Sequence, residues 1–490
     1  MINTLNPLIF TKSKKNRQGF KLPEVEFQDI ELNEFIPDNF LRKKNPNLPE
    51  LTEFQVVRHY TNLSVKNHHV DKDFYPLGSC TMKYNPKIND YIAGLPGFSL
   101  LHPNQPLESV QGALKLYYEL ERMLIEITGF KAVSLQPSAG SQGEMVGLLL
   151  MKAYHRKKKN KDKSIIIIPE TAHGTNPASV IMSGYQVRQV KSDNRGRVDI
   201  EHLNELVDDS VAGMMLTQPN TLGLFEDHIE KITSIIHSVD GLMYMDGANL
   251  NALVGIVKPD DMGFDIMHIN LHKTFSTPHG GGGPGSGPVG VNEKLVDFLP
   301  FPTVEYDKKN KNYFLHYNKD SIGRIHSFFG NFGILVRAYV YILSLGNKGL
   351  KEVSTNAVLN ANYLKYLLKD HYDVPFSDGT LHEFVISAVK QKKKGYKALV
   401  IAKKILDYGF HSPTVYFPIN VEESIMIEPT ETESRETIEK FADTLIQINK
   451  SIDMDDESLL EAPLNTPVRK LNETKANREL NVRWKDEVQS

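Results

Sequence analysis

Four short apolar runs of this 490-residue chain are each followed directly by polar or ionisable residues. The runs cover residues 165–168, 211–216, 241–245 and 266–271, and the residues that follow them include His173, Thr175, Asn220, Asp246, Ala248, His272 and Lys273. Ligands bind outside the carboxyl ends of the strands in open parallel sheets. One such strand end is explained by a structural cap, but four together indicate a ligand site.

The residue types at these strand ends suit the chemistry of pyridoxal phosphate. A lysine such as Lys273 forms a Schiff base with an aldehyde when burial or a cationic neighbour lowers its pKa. A carboxylate such as Asp246 keeps the pyridine nitrogen protonated, which makes the ring an electron sink, and a flat imidazole such as His173 stacks on the ring. The turn at Gly140 and Ser141 opens a predicted helix and offers backbone N–H groups to a phosphate.

Other features are explained without this chemistry. Lys273 taken alone is an ordinary surface lysine, Asp246 a cap or turn residue and His173 a hydrogen-bonded core histidine. The glycine-rich run 280–290 contains G-x-G-x-x-G at 285–290, but it follows a loop and includes a proline, so we discount a dinucleotide site. Its glycines favour close approach of backbone to a ligand or a neighbouring subunit. GxxxxGK[ST] and HExxH do not occur in the sequence, so we expect neither phosphoryl transfer nor a metal site.

The elements that position these residues alternate between buried strands and helices, which predicts a mainly parallel sheet with helices on both faces. Helices are predicted over 107–128, ending at Gly129, and over 141–156. Beyond residue 331 the pattern changes to longer helices and short strands. We therefore expect four parts: an N-terminal arm (1–75), a large domain (76–330), a smaller α+β domain (331–459) and a tail (460–490).

Composition excludes several classes of protein. Apolar residues make up 40% and charged residues 24%, as in soluble globular chains. A net charge of −3 argues against broad electrostatic capture of nucleic acid or anionic membranes. One cysteine forms no intramolecular disulfide, and no apolar run reaches the ~18 residues of a membrane span. The N-terminus lacks the order of a secretory signal, so we expect a cytoplasmic protein.

Longer motifs around the candidate residues resemble those of the glycine cleavage system P-protein, the decarboxylating glycine dehydrogenase. They are YPLGSCTMKYNP at 75–86, QPSAGSQGE at 136–144, AHGTNPAS at 172–179, MDGANLN at 245–251, NLHKTFSTPHGGGGPGSGP at 270–288, EAPLNTPVR at 461–469 and NVRW at 481–484. These matches extend over nearly the whole chain from residue 75. The chain has one pyridoxal phosphate module, so it resembles the lysine-bearing half of family members that are split into two subunits.

The resemblance implies a pyridoxal phosphate enzyme of fold type I, the aspartate aminotransferase-like fold. Lys273 would be the Schiff-base residue, Asp246 the pyridinium partner and His173 the stacking group. The further cofactor-binding residues would be Gly140, Ser141, Thr175, Asn220, Ala248 and His272, and a substrate loop would contribute Ser79, Cys80 and Thr81, together with His102. We favour a packing role in this loop for Cys80, and no arginine in the motifs is an evident anchor for the glycine carboxylate.

The implied reaction is decarboxylation of glycine with transfer of the aminomethyl group to the lipoyl arm of the H-protein. The implied partners are glycine, lipoylated H-protein and a lysine-less first subunit in an α2β2 tetramer. An aminotransferase, a cysteine desulfurase or a simple decarboxylase of the same fold would share Lys273, Asp246 and His173. A desulfurase needs a reactive cysteine late in the chain, whereas Cys80 is early. A non-catalytic subunit is the remaining alternative, although such a subunit is expected to lose the lysine first.

Overall fold

The computed structural model describes residues 6–24, 31–160, 162–280 and 285–484. The chain divides into two compact units. The first unit contains Met1–His69 and Pro463–Ser490, and the second contains Val70–Ala462.

The first unit consists of short helices joined by irregular segments. Its helices are Ile9–Lys12, Leu32–Glu34, Glu53–Ser64 and Glu473–Arg478. The ring of Trp484 stacks on that of Phe10 with 4.5 Å between centroids, so the two ends of the chain belong to one unit. Thr52 and Gln55 form a capping box at the start of Glu53–Ser64, which satisfies backbone N–H groups that lack helical partners.

A seven-stranded sheet is the centre of the second unit. Its strands are β1 (Ala132–Ser134), β2 (Ile165–Pro169), β3 (Gln186–Val190), β4 (Val211–Thr217), β5 (Leu242–Gly247), β6 (Ile266–Ile269) and β7 (Val289–Val291), in the order β1-β7-β6-β5-β4-β2-β3. Strands β3, β2, β4, β5 and β6 pair in parallel, and β7 is antiparallel to β6 and β1. The mainly parallel sheet is confirmed. The sequence did not predict strands β1, β3 and β7, because β1 and β7 are very short and β3 is polar.

Both faces of this sheet are buried, which explains why the central strands are apolar throughout. Successive residues of a strand point to opposite faces and belong to different hydrophobic clusters. One cluster contains Ile167, Met214 and Met245, and the other contains Ile166, Met215 and Tyr244.

Helices surround the sheet and continue into the C-terminal region. The α-helices of this unit are Lys87–Ala93, Pro96–Ser99, Gln111–Thr128, Gly140–Lys157, Thr175–Met182, Ile200–Leu206, Ile229–Ser238, Leu271–Thr274, Phe332–Leu368, Val389–Lys393, Ala398–Asp407 and Arg435–Asp453. Short 3-10 helices are Leu107–Ser109, Leu250–Ala252, Pro259–Met262, Glu293–Phe298 and Glu457–Glu461. Gln111–Thr128 ends at Gly129 in the left-handed conformation, with φ of 84°, as the sequence predicts.

A smaller antiparallel sheet lies in the C-terminal part of the unit. It contains β10 (Phe384–Ser387), β11 (Thr414–Val415) and β12 (Ser424–Ile427), with β12 in the centre, while β8 (Thr303–Asp307) and β9 (Asn312–His316) form a separate hairpin. Helix Phe332–Leu368 is interrupted at Gly346, whose backbone conformation is not helical. Its buried residues up to Val353 belong to the core of the large sheet, and those from Ala361 onward belong to the core of the small sheet. The expected second α+β region is confirmed.

None of the helices in the described part of the chain combines the length and the apolar character that crossing a membrane requires.

A buried carboxyl group stabilises the turn that follows β4. Glu226 accepts a hydrogen bond from the backbone N–H of Val198 at 3.0 Å and another from Nδ2 of Asn220 at 2.9 Å. Burial raises the pKa of Glu226 to about 7, above its ordinary value of 4.5. Between about pH 4.5 and pH 7, Glu226 therefore carries a proton in the folded protein that it releases in the unfolded chain.

We expect this proton to make the unfolding free energy fall as the pH rises from about 4.5 to about 7. A carboxyl group whose pKa is raised by folding contributes its full stabilisation below its ordinary pKa, and the contribution is lost as the pH rises through the raised value. In Glu226→Gln the fall across this range should be smaller by about 3 kcal/mol. Urea unfolding of both proteins across this range measures the difference, and parallel pH profiles would contradict the assignment.

Candidate active site

A cavity of about 320 Å³ opens at the carboxyl ends of the parallel strands, where the sequence predicts a ligand site. Most of the predicted site residues line it: Ser79, Cys80, Gly140, Ser141, His173, Thr175, Asp246, Ala248, His272 and Lys273. Residues 281–284 of the glycine-rich run lie outside the described residues. Gly285, from the same run, lines the cavity, and an added Cβ there would lie 2.9 Å from Nδ1 of His272.

Lys273 reaches the cavity from the short helix Leu271–Thr274 that directly follows β6. Its side chain is half-buried, and Nζ donates a hydrogen bond to the backbone carbonyl of Ser79 at 2.9 Å. The lysine therefore faces the predicted substrate loop.

Asp246 ends the neighbouring strand β5 and is 2% exposed. Its carboxylate accepts hydrogen bonds from Nδ2 of Asn176 at 3.0 Å and from the backbone N–H of Ala248 at 2.9 Å, and Nε2 of His268 lies 3.4 Å away. Burial acts to raise the pKa of Asp246, but His268 and these hydrogen bonds outweigh it and hold that pKa below its ordinary value. Asp246 is therefore a carboxylate at neutral pH.

A second buried network holds the residues that follow β2. Glu144 accepts hydrogen bonds from Oγ1 of Thr175 at 2.8 Å and from Nδ2 of Asn176 at 3.0 Å. Thr175 in turn lies 3.0 Å from Nδ1 of His173. Because Asn176 bonds to both Glu144 and Asp246, the two carboxylates are fixed relative to each other. Burial, together with the charge of Lys273, lowers the pKa of His173, so its imidazole is neutral at pH 7.

His268 is held by a partner at each ring nitrogen. Nε2 lies 2.9 Å from Oδ1 of Asn270 and close to Asp246, and Nδ1 lies 2.7 Å from the hydroxyl of Tyr244. Both ring nitrogens of His268 thus lie within hydrogen-bond distance of a partner, and Nε2 faces Asp246.

Glycines bring backbone close to these polar groups. A Cβ at Gly140 would lie 2.2 Å from Nδ2 of Asn270, and a Cβ at Gly287 would lie 2.1 Å from the carbonyl of Ala139. The N-terminus of helix Gly140–Lys157 therefore opens into the cavity, with first-turn N–H groups that have no acceptor within the helix. Burial, Lys273 and His279 lower the pKa of the nearby His272 to about 3, so that ring is also neutral.

The loop at residues 78–83, which we call the substrate loop, lies against the C-terminal part of the unit. The backbone N–H of Ser79 donates to Glu383 at 2.7 Å, and the hydroxyl of Thr81 donates to Glu428. Nζ of Lys83 donates to Glu431 at 2.6 Å and to the carbonyl of Thr274 at 2.7 Å. The lysine of the loop thus connects the C-terminal region to the residue after Lys273.

Cys80 occupies the middle of the substrate loop. Its Sγ lies 3.7 Å from Nε2 of His279. Burial raises the pKa of the Cys80 thiol, with a smaller opposing effect from Lys273. Cys80 is therefore a protonated thiol at neutral pH, which is a poor nucleophile.

Comparison with known proteins gives the family. The family model described as "Glycine cleavage system P-protein" matches residues 10–314, and the model "Glycine dehydrogenase, C-terminal domain" matches residues 353–467. A relative from Caldanaerobacter subterraneus subsp. tengcongensis, named probable glycine dehydrogenase (decarboxylating) subunit 2, is 54% identical over 99% of this chain and 100% of its own length. The chain belongs to the glycine cleavage system P-protein family. A Bacillus licheniformis relative of the same name is 52% identical over 99% of this chain and 100% of its own length.

Solved structures agree on the fold. A crystal structure of glycine decarboxylase (P-protein) in inhibitor-bound form has a TM-score of 0.72 at 20% identity and covers 85% of this chain and 94% of its own. A cysteine desulfurase from Thermococcus onnurineus has a TM-score of 0.60 at 14% identity and covers 78% of this chain and 96% of its own. At these identities the likeness shows the fold alone. This P-protein family member therefore has fold type I, as predicted.

Three predicted site residues of this P-protein family member do not line the cavity. Asn220 is buried in the turn after β4, where its side chain bonds to Glu226 and to backbone groups of the turn. Thr81 points away toward Glu428. His102 lies in an exposed segment and lines a separate apolar cavity with Phe328. A sequence motif gives the neighbourhood of a residue but not the direction of its side chain.

Further residues line the cavity that the sequence did not predict as site residues. They are Ala139, Glu144, Thr217, Thr221, Asn249, His268, Asn270 and His279. Most of them lie within or next to the quoted motifs. His268 had its own signal, since it is the one polar residue in the apolar strand β6.

We expect the buried ion pair between Lys83 and Glu431 to stabilise this P-protein family member at the substrate loop. Removing one partner in Lys83→Met leaves the Glu431 charge buried and unpaired and should destabilise the protein by about 3–5 kcal/mol. In the double variant Lys83→Met/Glu431→Leu most of this loss should be recovered, because no charge remains buried. Urea unfolding of the two variants and the wild type tests the pair. If the double variant is as unstable as Lys83→Met, burial of an unpaired charge does not explain the loss.

Proposed function

We propose that this protein binds pyridoxal phosphate at Lys273 and decarboxylates glycine as the lysine-bearing subunit of a two-subunit P-protein. One observation carries the proposal: Lys273, in the short helix after β6, and Asp246, in the adjacent strand β5, line the same cavity as the N-terminus of helix Gly140–Lys157. The family membership and the names of the relatives support the glycine reaction.

The donor set fits pyridoxal phosphate at three separate places. Lys273 offers an amine to the aldehyde, and Asp246 offers a buried carboxylate to the ring nitrogen. The first turn at Gly140 and Ser141 offers N–H groups and the positive end of the helix dipole to the phosphate. His173, neutral and held through Thr175, is the proposed stacking group.

When bound, pyridoxal phosphate supplies a conjugated ring that accepts the electron pair left by departing carbon dioxide. Asp246 keeps the ring nitrogen protonated, and Asn176, Ala248 and His268 hold the carboxylate in its ionised form before any reaction begins. Lys273 would hold the aldehyde of the bound cofactor through its amine.

The cavity favours loss of the glycine carboxylate over its retention. Among the described residues that line it, Lys273 is the only lysine or arginine. Burial lowers the pKa values of His173, His272 and His279, so these rings offer neutral groups. An arginine would stabilise the carboxylate in the ground state, whereas neutral donors bind it without opposing its departure as carbon dioxide.

The second half of the proposed reaction involves the lipoyl arm of the H-protein. The aminomethyl carbon bonds to one sulfur of the lipoyl disulfide, the S–S bond breaks, and the other sulfur takes up a proton to become a thiol. Because Cys80 is a half-buried thiol with a raised pKa and lies early in the chain, it does not suit the persulfide chemistry of a desulfurase. We propose a lysine-less first subunit as partner, in an α2β2 tetramer in the cytoplasm, since the relatives are named subunit 2.

The first test is the site of cofactor attachment. We expect the chain, co-expressed with its first subunit, to be yellow and to carry a pyridoxyl label on Lys273 after borohydride reduction. Exchange of the glycine carboxyl with labelled bicarbonate should require lipoylated H-protein and should be lost in Lys273→Ala but not in Lys131→Ala, which changes an exposed lysine. A label on another lysine, such as the buried Lys83, would overturn the site, and exchange without H-protein would point to a simple decarboxylase.

The second test concerns Asp246. In Asp246→Asn the shape is kept and the charge is lost, so the protein should still bind pyridoxal phosphate while carboxyl exchange slows by roughly 10²-fold or more. Asp260→Asn changes an aspartate outside the cavity and serves as the control. An Asp246→Asn protein with wild-type exchange would show that this carboxylate does not assist the reaction.

A further inference from the structure

Two buried glutamates, Glu383 and Glu428, lie outside the set of residues that the proposed chemistry uses. Glu383 directly precedes β10 and is 0% exposed, and Glu428 directly follows β12 and is 1% exposed. Strands β10 and β12 are antiparallel, with Phe384 opposite Ile427. The two glutamates therefore lie side by side at the same end of the small sheet.

Both carboxyl groups hold the substrate loop, one on each side of Cys80. Oε2 of Glu383 accepts the backbone N–H of Ser79 at 2.7 Å, and Oε1 of Glu428 accepts the hydroxyl of Thr81. Oε1 of Glu383 is fixed in turn by Nδ2 of Asn249 at 3.1 Å. This arrangement fixes the orientation of the loop at two points.

Ser79 has a backbone conformation that needs such support. Its φ is +65°, in the left-handed region that non-glycine residues rarely adopt. In this conformation its N–H points to Glu383 and its carbonyl accepts Nζ of Lys273 at 2.9 Å. The direction of the Ser79 carbonyl toward the lysine thus depends on the bond from Ser79 to Glu383.

The charge state of Glu383 and Glu428 is also compatible with their position beside Lys273. Burial raises the pKa of Glu383 to about 7, and burial together with the charge of Glu383 raises the pKa of Glu428 well above its ordinary value. Lys273 opposes both shifts. The pair therefore accepts hydrogen bonds beside the lysine without placing two full negative charges there.

We propose that Glu383 is a positioning residue that aims the Ser79 carbonyl at Lys273, so that the lysine amine has a fixed acceptor whenever it is not bonded to the cofactor aldehyde. This rests on the proposed role of Lys273. An amine held in this way stays next to the cavity when the amine of glycine displaces it, and it returns from the same place. The acceptor that holds the lysine amine is thus a neutral peptide carbonyl.

Hydrogen exchange in the full-length chain without cofactor tests whether Glu383 holds the backbone amide of Ser79. In Glu383→Ala the Ser79 amide should exchange about tenfold faster or more, because its acceptor is gone. In Glu383→Gln an acceptor oxygen remains and the exchange should stay close to wild type. Glu383→Met fills the same volume without an acceptor and should behave as Glu383→Ala, so it replaces that variant if the alanine protein does not fold.

Glu226→Ala is the matched control for this measurement. Glu226 is also buried, also accepts one backbone N–H and one asparagine Nδ2, and also has a pKa raised to about 7. Its removal should speed exchange at Val198 and leave the Ser79 amide unchanged.

The rate at which pyridoxal phosphate loads onto the same proteins tests whether the Ser79 carbonyl positions the amine of Lys273. Absorbance should rise about tenfold more slowly in Glu383→Ala or Glu383→Met than in wild type, with Glu383→Gln close to wild type. Unchanged Ser79 exchange in the variants, or faster exchange with unchanged loading, would overturn the proposal. A wild-type protein that never loads would instead overturn the proposed function, while the exchange measurement still decides whether Glu383 holds Ser79.

Discussion

The parallel register of β4, β5 and β6 is the constraint on which the candidate site depends. It pairs Thr217 with Asp246 and Asp246 with His268, so these three side chains form a row at the carboxyl edge of the sheet. A shift of one residue in β5 would turn Asp246 to the opposite face and bury the charge away from His268 and Asn176. The apolar residues that precede each of the three determine this register, because both faces of the sheet are buried. The same strand register therefore packs the core and places the charge of Asp246.

The buried carboxyl groups around the cavity are stable because each has hydrogen-bond partners. Asp246 is held by Asn176, Ala248 and His268, while Glu144 is held by Thr175 and Asn176. A buried charge without partners would cost several kcal/mol or would take up or lose a proton. The supporting residues are mostly amides and hydroxyls, which donate hydrogen bonds without adding a charge. The site thus keeps Asp246 ionised, while the imidazoles of His173, His272 and His279 are neutral.

The sequence predicted the parts of this site that depend on local order along the chain. A strand of apolar residues followed by a lysine or an aspartate identifies a strand end, and this placed Lys273, Asp246 and His173 correctly at one edge. It failed where the outcome depends on contacts between distant segments. Glu383 and Glu428 meet the substrate loop only because β10 and β12 pair in one register, and Thr81 turns toward them instead of toward the cavity. His102 lies outside the cavity for a similar reason, since its segment lines a separate cavity with Phe328.

The helix Phe332–Leu368 has a consequence for how this protein can be divided. Its residues up to Val353 are buried in the core of the large sheet, and those from Ala361 onward are buried in the core of the small sheet. A chain cut before Phe332 would retain the lysine, the aspartate and the glycine-lined helix. It would lose Glu383, Glu428 and Glu431, which hold the loop opposite the lysine. The two sheets are therefore separate in architecture, but the part that carries Lys273 would lack the contacts that hold the substrate loop if it were expressed alone.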